Sequence, residues 1–274
     1  MRQFCFSADV DWIPGSEGGL VRLYDFCERK KLGGTFFFTG RFAERYPELV
    51  VEAVRRGYDV GTHGWEHGQD DDEDFRFGSY EDQKRWLTLA TDAIEKAGGI
   101  RPTSFRAPNL SVSEVTMRVL EETGYTIDSS VPARRFDFFI GQVNHPRYFF
   151  APLTAYRPSR TNFGRRGNSS ILEVPPSAWF LPMNTSSLRM LGLSRVRFAV
   201  DRLRSASDLL MFYVHPAEFE VPEKQTIPSS NPQRHLTGLG PQNLDLIERF
   251  VDYVLSCGYQ PQQLSEIARQ TVAR

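Results

Sequence analysis

The chain has 274 residues, with 33 Lys and Arg against 34 Asp and Glu, a formal charge of −1. A hydrophobic share of 40%, with 21 Phe, 10 Tyr and 4 Trp, suffices for a sizeable core and excludes a wholly disordered chain. No stretch approaches the roughly 18 apolar residues that span a bilayer, and the N-terminus turns acidic at Asp9 before a signal-peptide core forms. The expectation is therefore a cytoplasmic protein, with a peripheral place at the inner membrane as its alternative. At roughly 100–200 residues per domain, one large domain is expected over residues 1–274.

In chain order, Phe4 to Ala8 is a short apolar run that reads as a buried strand presenting Asp9 and Asp11 at its end. Leu20 to Lys31 is helix-like, and the apolar run after Gly33 is a second buried strand. Pro47 opens a helix that Gly57 stops. Tyr58 to Gly61 is a third strand, ending at His63. Ser79 with Asp82 caps a helix carrying Trp86, Ala90, Ala93 and Ala97. A short strand at Thr103 to Arg106 follows, then a helix capped by Ser111 with Glu114. Strands are expected again at Tyr125 to Asp128, Ile171 to Val174 and Leu209 to Val214, and a late helix carries Leu244, Ile247, Val251 and Val254. Residues 132–170 are rich in Arg, Pro, Phe and Tyr without a clean period, and read as an insertion or lid.

Strands alternating with helices argue for an α/β protein with a parallel sheet or barrel. In such folds the functional residues gather at the carboxyl ends of strands. Asp9, Asp11, His63, Arg106, Asp128 and His215 each sit at or just past such an end. Cys5, Cys27 and Cys257 are odd in number and widely spaced, which fits buried free thiols rather than a disulfide framework or zinc ribbon. Residues 131–205 hold 12 Arg, no Lys and 3 acids, a local charge of +9. Leu188, Leu191, Val196, Val200 and Leu203 fall near one side of a helix among these arginines. Such a face suits an anionic partner, a phosphate-bearing or lipid-linked substrate, or simply solvent. Asp70 to Asp74 reads as a solvated acidic loop.

His63 and His67 are four apart, so both imidazoles can reach one cation. The zincin motif needs Glu directly after the first His, and Gly64 stands there. Asp9 and Asp11 share a face of a strand, so one can bind a metal while the other takes a proton from water. One Asp with two His leaves open positions, the form of a catalytic site. Arg106 can hold a carboxylate ionised and oriented. His215 ends a hydrophobic strand, where it is either a structural residue or a general acid.

In this order the motifs Ser7-Ala-Asp-Val-Asp11, His63-Gly-Trp-Glu-His67, Arg106-Ala-Pro-Asn109, the segment at Asp128 and Tyr213-Val-His-Pro216 resemble those of the polysaccharide deacetylase family, carbohydrate esterase family 4, with its nodulation-type deacetylase homology domain. The resemblance runs from Phe6 to Pro216. It implies a distorted (β/α) barrel of about seven strands and a divalent metal held by Asp11, His63 and His67. Zinc is expected, with cobalt, nickel, manganese and iron also suited to such ligands. It further implies Asp9 as general base, Arg106 as its partner and His215 as general acid, with Asn109, Asp128 and Trp12 at the substrate. The implied reaction is removal of an N-acetyl group from a glycan, a lipid-linked sugar or a nucleotide sugar. An N-deformylase or small or cyclic amide hydrolase on the same fold is the alternative, and a non-catalytic glycan- or lipid-binding module another. The partner expected is an N-acylated sugar rather than nucleic acid; oligomeric state is open.

Three departures from the family pattern stand out. Val10 separates the two aspartates, which are often adjacent. Asn109 stands where many members have Tyr. Val131 replaces a second Asp that often steers the catalytic His, so that partner must come from elsewhere.

Overall fold

A computed structural model of the chain describes residues 1–67, 73–136, 148–221 and 239–273. Asp70 to Asp72, Arg147 and part of the 132–170 insertion lie outside the described residues. Twelve strands and nine α-helices are present among the described residues. Those that build the main sheet are β1 (Arg2–Val10), β2 (Gly34–Phe38), β3 (Asp59–Thr62), β4 (Ser104–Phe105), β5 (Ile127–Asp128), β8 (Leu172–Glu173), β11 (Leu209–Val214) and β12 (Tyr259–Pro261). All pair in parallel, in the order β11-β1-β2-β3-β4-β5-β8, with β12 against the first residues of β1. The seven strands of this path form a curled α/β half-barrel, as the sequence motifs imply. Two hairpins stand apart, β6 (Pro158–Ser159) with β7 (Asn162–Arg166) and β9 (Ala178–Trp179) with β10 (Leu181–Pro182).

Period-two alternation divides each long strand between two environments. In β1, Phe4, Phe6, Ala8 and Val10 join the outer core, together with Leu20, Leu23 and Phe26 of helix α1 (Ser16–Lys30). The alternate residues face inward. Cys5 packs at the bottom of the half-barrel with Met211 of β11, against Leu264 and Ile267 of helix α9 (Leu264–Val272). Ser7 and Asp9 follow above it. The register Cys5↔Met211 and Ser7↔Tyr213 sets a matching inner row on β11, with His215 next along it. The interior is thus a core at one end and a set of polar side chains at the other.

Most expected elements are present, with instructive differences. The helix after residue 110 is α5 (Glu114–Thr123), and its capping box is Ser113 with Thr116 rather than Ser111 with Glu114. Ser111 instead ends a 3-10 turn at Pro108–Leu110. The helix expected through Leu188 to Leu203 is two, α6 (Thr185–Leu191) and α7 (Leu193–Arg204), broken at Gly192, which is left-handed at φ 76°. Helix α2 (Gly40–Arg45) precedes α3 (Pro47–Arg55), and α4 (Tyr80–Gly98) is capped by Ser79 as expected. Helix α8 (Gln242–Ser256) carries the late apolar stripe. Strand β12 and helix α9 were not signalled by any run of apolar residues.

The arginines of residues 131–205 do not make one face. Arg160 pairs with Glu121, Arg204 with Asp201 and Arg189 with Glu218, while Arg197 lies over Tyr253 and Arg166 over Tyr156. The local charge excess is therefore partly matched within the chain. Cys5 and Cys27 are buried thiols, Cys257 is half-buried, and burial pushes the Cys5 thiol up to about 12. Among the described residues no helix is long and apolar enough to cross a membrane.

Candidate metal and acid–base centre

The loop after β3 brings His63 and His67 together without forming a helical turn. Gly64 is left-handed at φ 80° and His67 at φ 38°. Glu73 organises this loop from below: its two carboxylate oxygens accept from the backbone N–H groups of Trp65 at 2.7 Å and Glu66 at 2.8 Å. The sequence grouped Glu73 with a solvated acidic run, whereas it is buried. A Cβ on Gly64 would meet Glu73 Oε1 at 2.5 Å, so glycine is required there by contact as well as by φ.

Asp11, at the end of the inner row of β1, approaches the two rings. Asp11 Oδ1 lies 3.5 Å from His63 Nε2, and the ligand atoms of Asp11, His63 and His67 all lie within 4.8 Å of one another. His63 Nδ1 is 2.8 Å from the carbonyl oxygen of Arg106, which fixes the proton on Nδ1 and leaves Nε2 as the ligand atom. Burial lowers the His63 pKa, against the pull of Asp9 and Asp11, and keeps the ring neutral. Asp11 Oδ1 is buried without a hydrogen-bond partner, as suits an oxygen whose partner is a cation. The donor set of one carboxylate and two imidazoles fits a divalent transition metal.

Asp9 sits one pleat below. Arg106 Nη1 donates to Asp9 Oδ1 at 2.7 Å and to Ser7 Oγ at 2.9 Å. The Arg106 side chain is fully buried, and its other donors reach Ser129 O, Ser129 Oγ and Met211 Sδ, with Phe37 under the guanidinium at 4.4 Å. Burial raises the Asp9 pKa, but Arg106, His63 and His215 outweigh it and hold the carboxyl below its usual range. Asp9 is thereby kept as a carboxylate.

His215 faces this group from β11. The Glu218 carboxylate accepts from the His215 backbone N–H at 3.0 Å and stands 3.8 Å from its Nδ1. Ser186 Oγ donates to Glu218 at 3.1 Å and Arg189 lies 3.6 Å away, so helix α6 anchors the carboxylate. Burial works against a charge on His215, yet Glu218, Asp11 and Asp9 together raise its pKa to about 9. Glu218, three residues after the histidine, supplies a buried carboxylate partner to His215.

A cavity of about 160 Å³ opens onto this centre, with Asp9, His63, His67, Asn109 and His215 in its lining. Asn109 is left-handed at φ 54°. Two of the expected substrate residues lie elsewhere. Trp12 is half-buried with its ring 6.2 Å from that of Tyr46 and does not line the cavity. Asp128 is fully buried beneath Arg106. Ser130 Oγ donates to Asp128 Oδ1 at 2.6 Å and accepts from the Ala107 backbone N–H at 2.8 Å. The Asp128 side chain interacts with that of Glu173, whose Oε1 accepts from the Val131 N–H at 3.0 Å. Burial raises the pKa of both carboxyl groups, Glu173 the more. The pair's work is to fix the backbone on either side of Arg106.

Fold and site together define an α/β half-barrel whose strand ends gather an Asp/His/His centre beside a carboxylate–guanidinium pair. Residues 10–127 match the model of the polysaccharide deacetylase family. Among solved structures, it is similar to a polysaccharide deacetylase fold from Mycobacterium smegmatis at 18% identity and a TM-score of 0.69, covering 99% of this chain and 90% of that one. It is similar also to a PuuE allantoinase at 15% identity and a TM-score of 0.64, over 97% and 89% of the two chains. Among curated proteins, it is 30% identical over 87 residues to a peptidoglycan N-acetylmuramic acid deacetylase of Bacillus subtilis, covering 32% of this chain and 18% of that protein. The chain spans less than half the length of the first curated relatives it matches.

Proposed function

We propose that the chain is a metal-dependent hydrolase that removes an N-acetyl group from a sugar, with residues 1–274 as one catalytic domain. The observation that supports this most is the placement of Asp9. It is an ionised carboxylate, held by Arg106, immediately beside three side chains suited to one cation. A binding module has no use for a base and an acid on opposite sides of such a centre.

Asp11, His63 and His67 would hold the cation, zinc being the best match to the donors. When bound, the metal supplies a Lewis acid for the amide carbonyl and lowers the pKa of water towards about 7. Asp9 takes the proton from the attacking water. Arg106 keeps that carboxylate oriented and ionised. His215, protonated, delivers a proton to the leaving nitrogen. The products are acetate and a free amine. The small cavity suits a short acyl group, and an N-formyl sugar or small amide is the competing substrate.

The test is release of acid from N-acetyl and N-formyl sugars by metal-loaded protein, with Asp9→Asn as control. Acetate release that is lost on chelation and in the variant is expected. Formate release alone would move the reading to a deformylase. No acid release at full metal occupancy would overturn it.

A further inference from the structure

Two side chains in the cavity lining have no part in the reaction just described, Tyr213 and Asn184. Both are more than nine-tenths buried, at 5% and 8% exposure. Tyr213 lies in the inner row of β11, between Met211 at the floor and His215 at the acid–base groups. Asn184 is the N-cap of helix α6. An isolated parallel bridge joins the two backbones, and Tyr213 N–H donates to Met183 O at 3.1 Å. The Arg106 guanidinium lies 5.5 Å from the centre of the Tyr213 ring, and the His215 ring stands edge-on to it at 5.9 Å.

The hydrogen bond between these two side chains has a fixed polarity. Asn184 Oδ1 accepts from the Ser187 backbone N–H at 2.9 Å. A backbone N–H can only donate, so that end of the carboxamide is its oxygen and the other end its nitrogen. Asn184 Nδ2, 3.1 Å from Tyr213 Oη, therefore donates, and the hydroxyl accepts. Burial raises the Tyr213 pKa, so the hydroxyl keeps its own proton. That proton and the second hydrogen on Asn184 Nδ2 remain to be donated, and among the described residues neither has an acceptor. Buried donors are rarely left unmatched, because losing water without gaining an acceptor is costly. Both side chains border the cavity, and neither carries a charge, so they match a neutral oxygen placed within it.

We propose that Tyr213 and Asn184 are specificity residues that donate to a neutral oxygen of the bound substrate, either a hydroxyl of the sugar or the carbonyl oxygen of its N-acyl group. The cap of helix α6 sets the direction of donation: Ser187 fixes Asn184, Asn184 occupies a lone pair of the Tyr213 hydroxyl, and the hydroxyl proton is left for the substrate. A site built in this way discriminates against an analogue that lacks the oxygen, because its donors are then left unpaired. The inference rests on the deacetylase reading above and adds two residues that recognise its substrate.

The test uses metal-loaded protein with N-acetylglucosamine and its 3-deoxy, 4-deoxy and 6-deoxy analogues, read by calorimetric Kd and by kcat/KM for acetate release. Tyr213→Phe keeps the ring and removes the hydroxyl, and should weaken binding of the parent sugar by about tenfold, the scale of one hydrogen bond. Asn184→Asp keeps the helix cap, since Asp caps as well as Asn, but its second oxygen accepts the Tyr213 proton and offers none of its own. It should weaken binding at least as much as Tyr213→Phe at near wild-type thermal stability, and the double substitution should lose no more than Asn184→Asp alone. A bond that served structure only would persist in Asn184→Asp with donor and acceptor exchanged, so a wild-type Kd in that variant would overturn the proposal. A deoxy analogue that Tyr213→Phe binds as well as the wild-type protein does identifies the contacted hydroxyl; equal weakening for all four sugars identifies the acyl carbonyl. Unchanged Kd for every sugar in Tyr213→Phe, or no binding by the wild-type protein, would overturn the subsite. Tyr213-dependent binding without acetate release would overturn the hydrolase reading alone. Acetate release that neither substitution alters would do the reverse.

Discussion

Asp9 and Asp11 are two residues apart on one strand, yet their surroundings divide the work between them. Asp9 faces the buried Arg106 guanidinium, while Asp11 keeps a buried oxygen without a hydrogen bond. Asp9→Asn should therefore retain the metal and lose turnover by on the order of 10²–10⁴-fold, whereas Asp11→Ala should lose the metal itself; metal analysis alongside kcat separates the two. Glu218 carries a second expectation. As general acid His215 must be protonated, so the alkaline limb of kcat/KM lies where it loses its proton. Glu218→Gln removes the charge that sustains its raised pKa, and the limb should move to lower pH. An unmoved limb would assign the acid to another group. These glutamates mark the border of what the sequence could disclose. Asp9, Asp11, His63 and His215 were legible because each lies at or just past the end of a strand. Glu73, Glu173 and Glu218 are buried and bonded, but an acid reads the same in a sequence whether solvent or backbone receives it.

At the scale of an element, the loop from His63 to His67 is held by its own geometry and by Glu73 rather than by helical spacing. Gly64→Ala would place an L-residue in the left-handed region, at about 1–2 kcal/mol, and press its methyl group onto Glu73. The expected outcome is a folded protein with weakened metal binding, measured by competition with a chelator. Glu73→Ala should act alike, because two backbone N–H groups lose their acceptor. Helix α5 teaches a different point about legibility. Ser111 and Ser113 both carry a capping side chain, and the sequence favoured the one with Glu three residues on. The turn at Pro108–Leu110 uses up Ser111, so the helix starts two residues later.

At the scale of the whole molecule, the half-barrel's interior passes from an apolar floor to buried polar side chains, among them the Asp128–Glu173 pair. Both carboxyl groups have raised pKa values in the fold. Their contribution is full below the ordinary carboxyl pKa of about 4 and is lost as pH rises through the folded values. Glu173→Gln keeps an amide to donate to Asp128 without a second acid, so thermal stability should decline less steeply than in the wild-type protein as pH rises above about 4. Identical slopes in the two proteins would assign the decline to other groups. Helix α9, which seals the bottom against Cys5 and Met211, went unsignalled because its amphipathic run is short and follows a glutamine-rich turn.

The inner rows of β1 and β11 run without interruption from the sealed floor to the acid–base groups. Each strand thus serves as a ruler on which parity assigns the chemistry. Insertion of one residue between Cys5 and Asp9 would exchange the two rows beyond it, sending both aspartates into the helix layer and Ala8 and Val10 towards the cation. The strands can accept substitution but not a change in length. Diversification of this chain by gain or loss of residues is therefore confined to its loops.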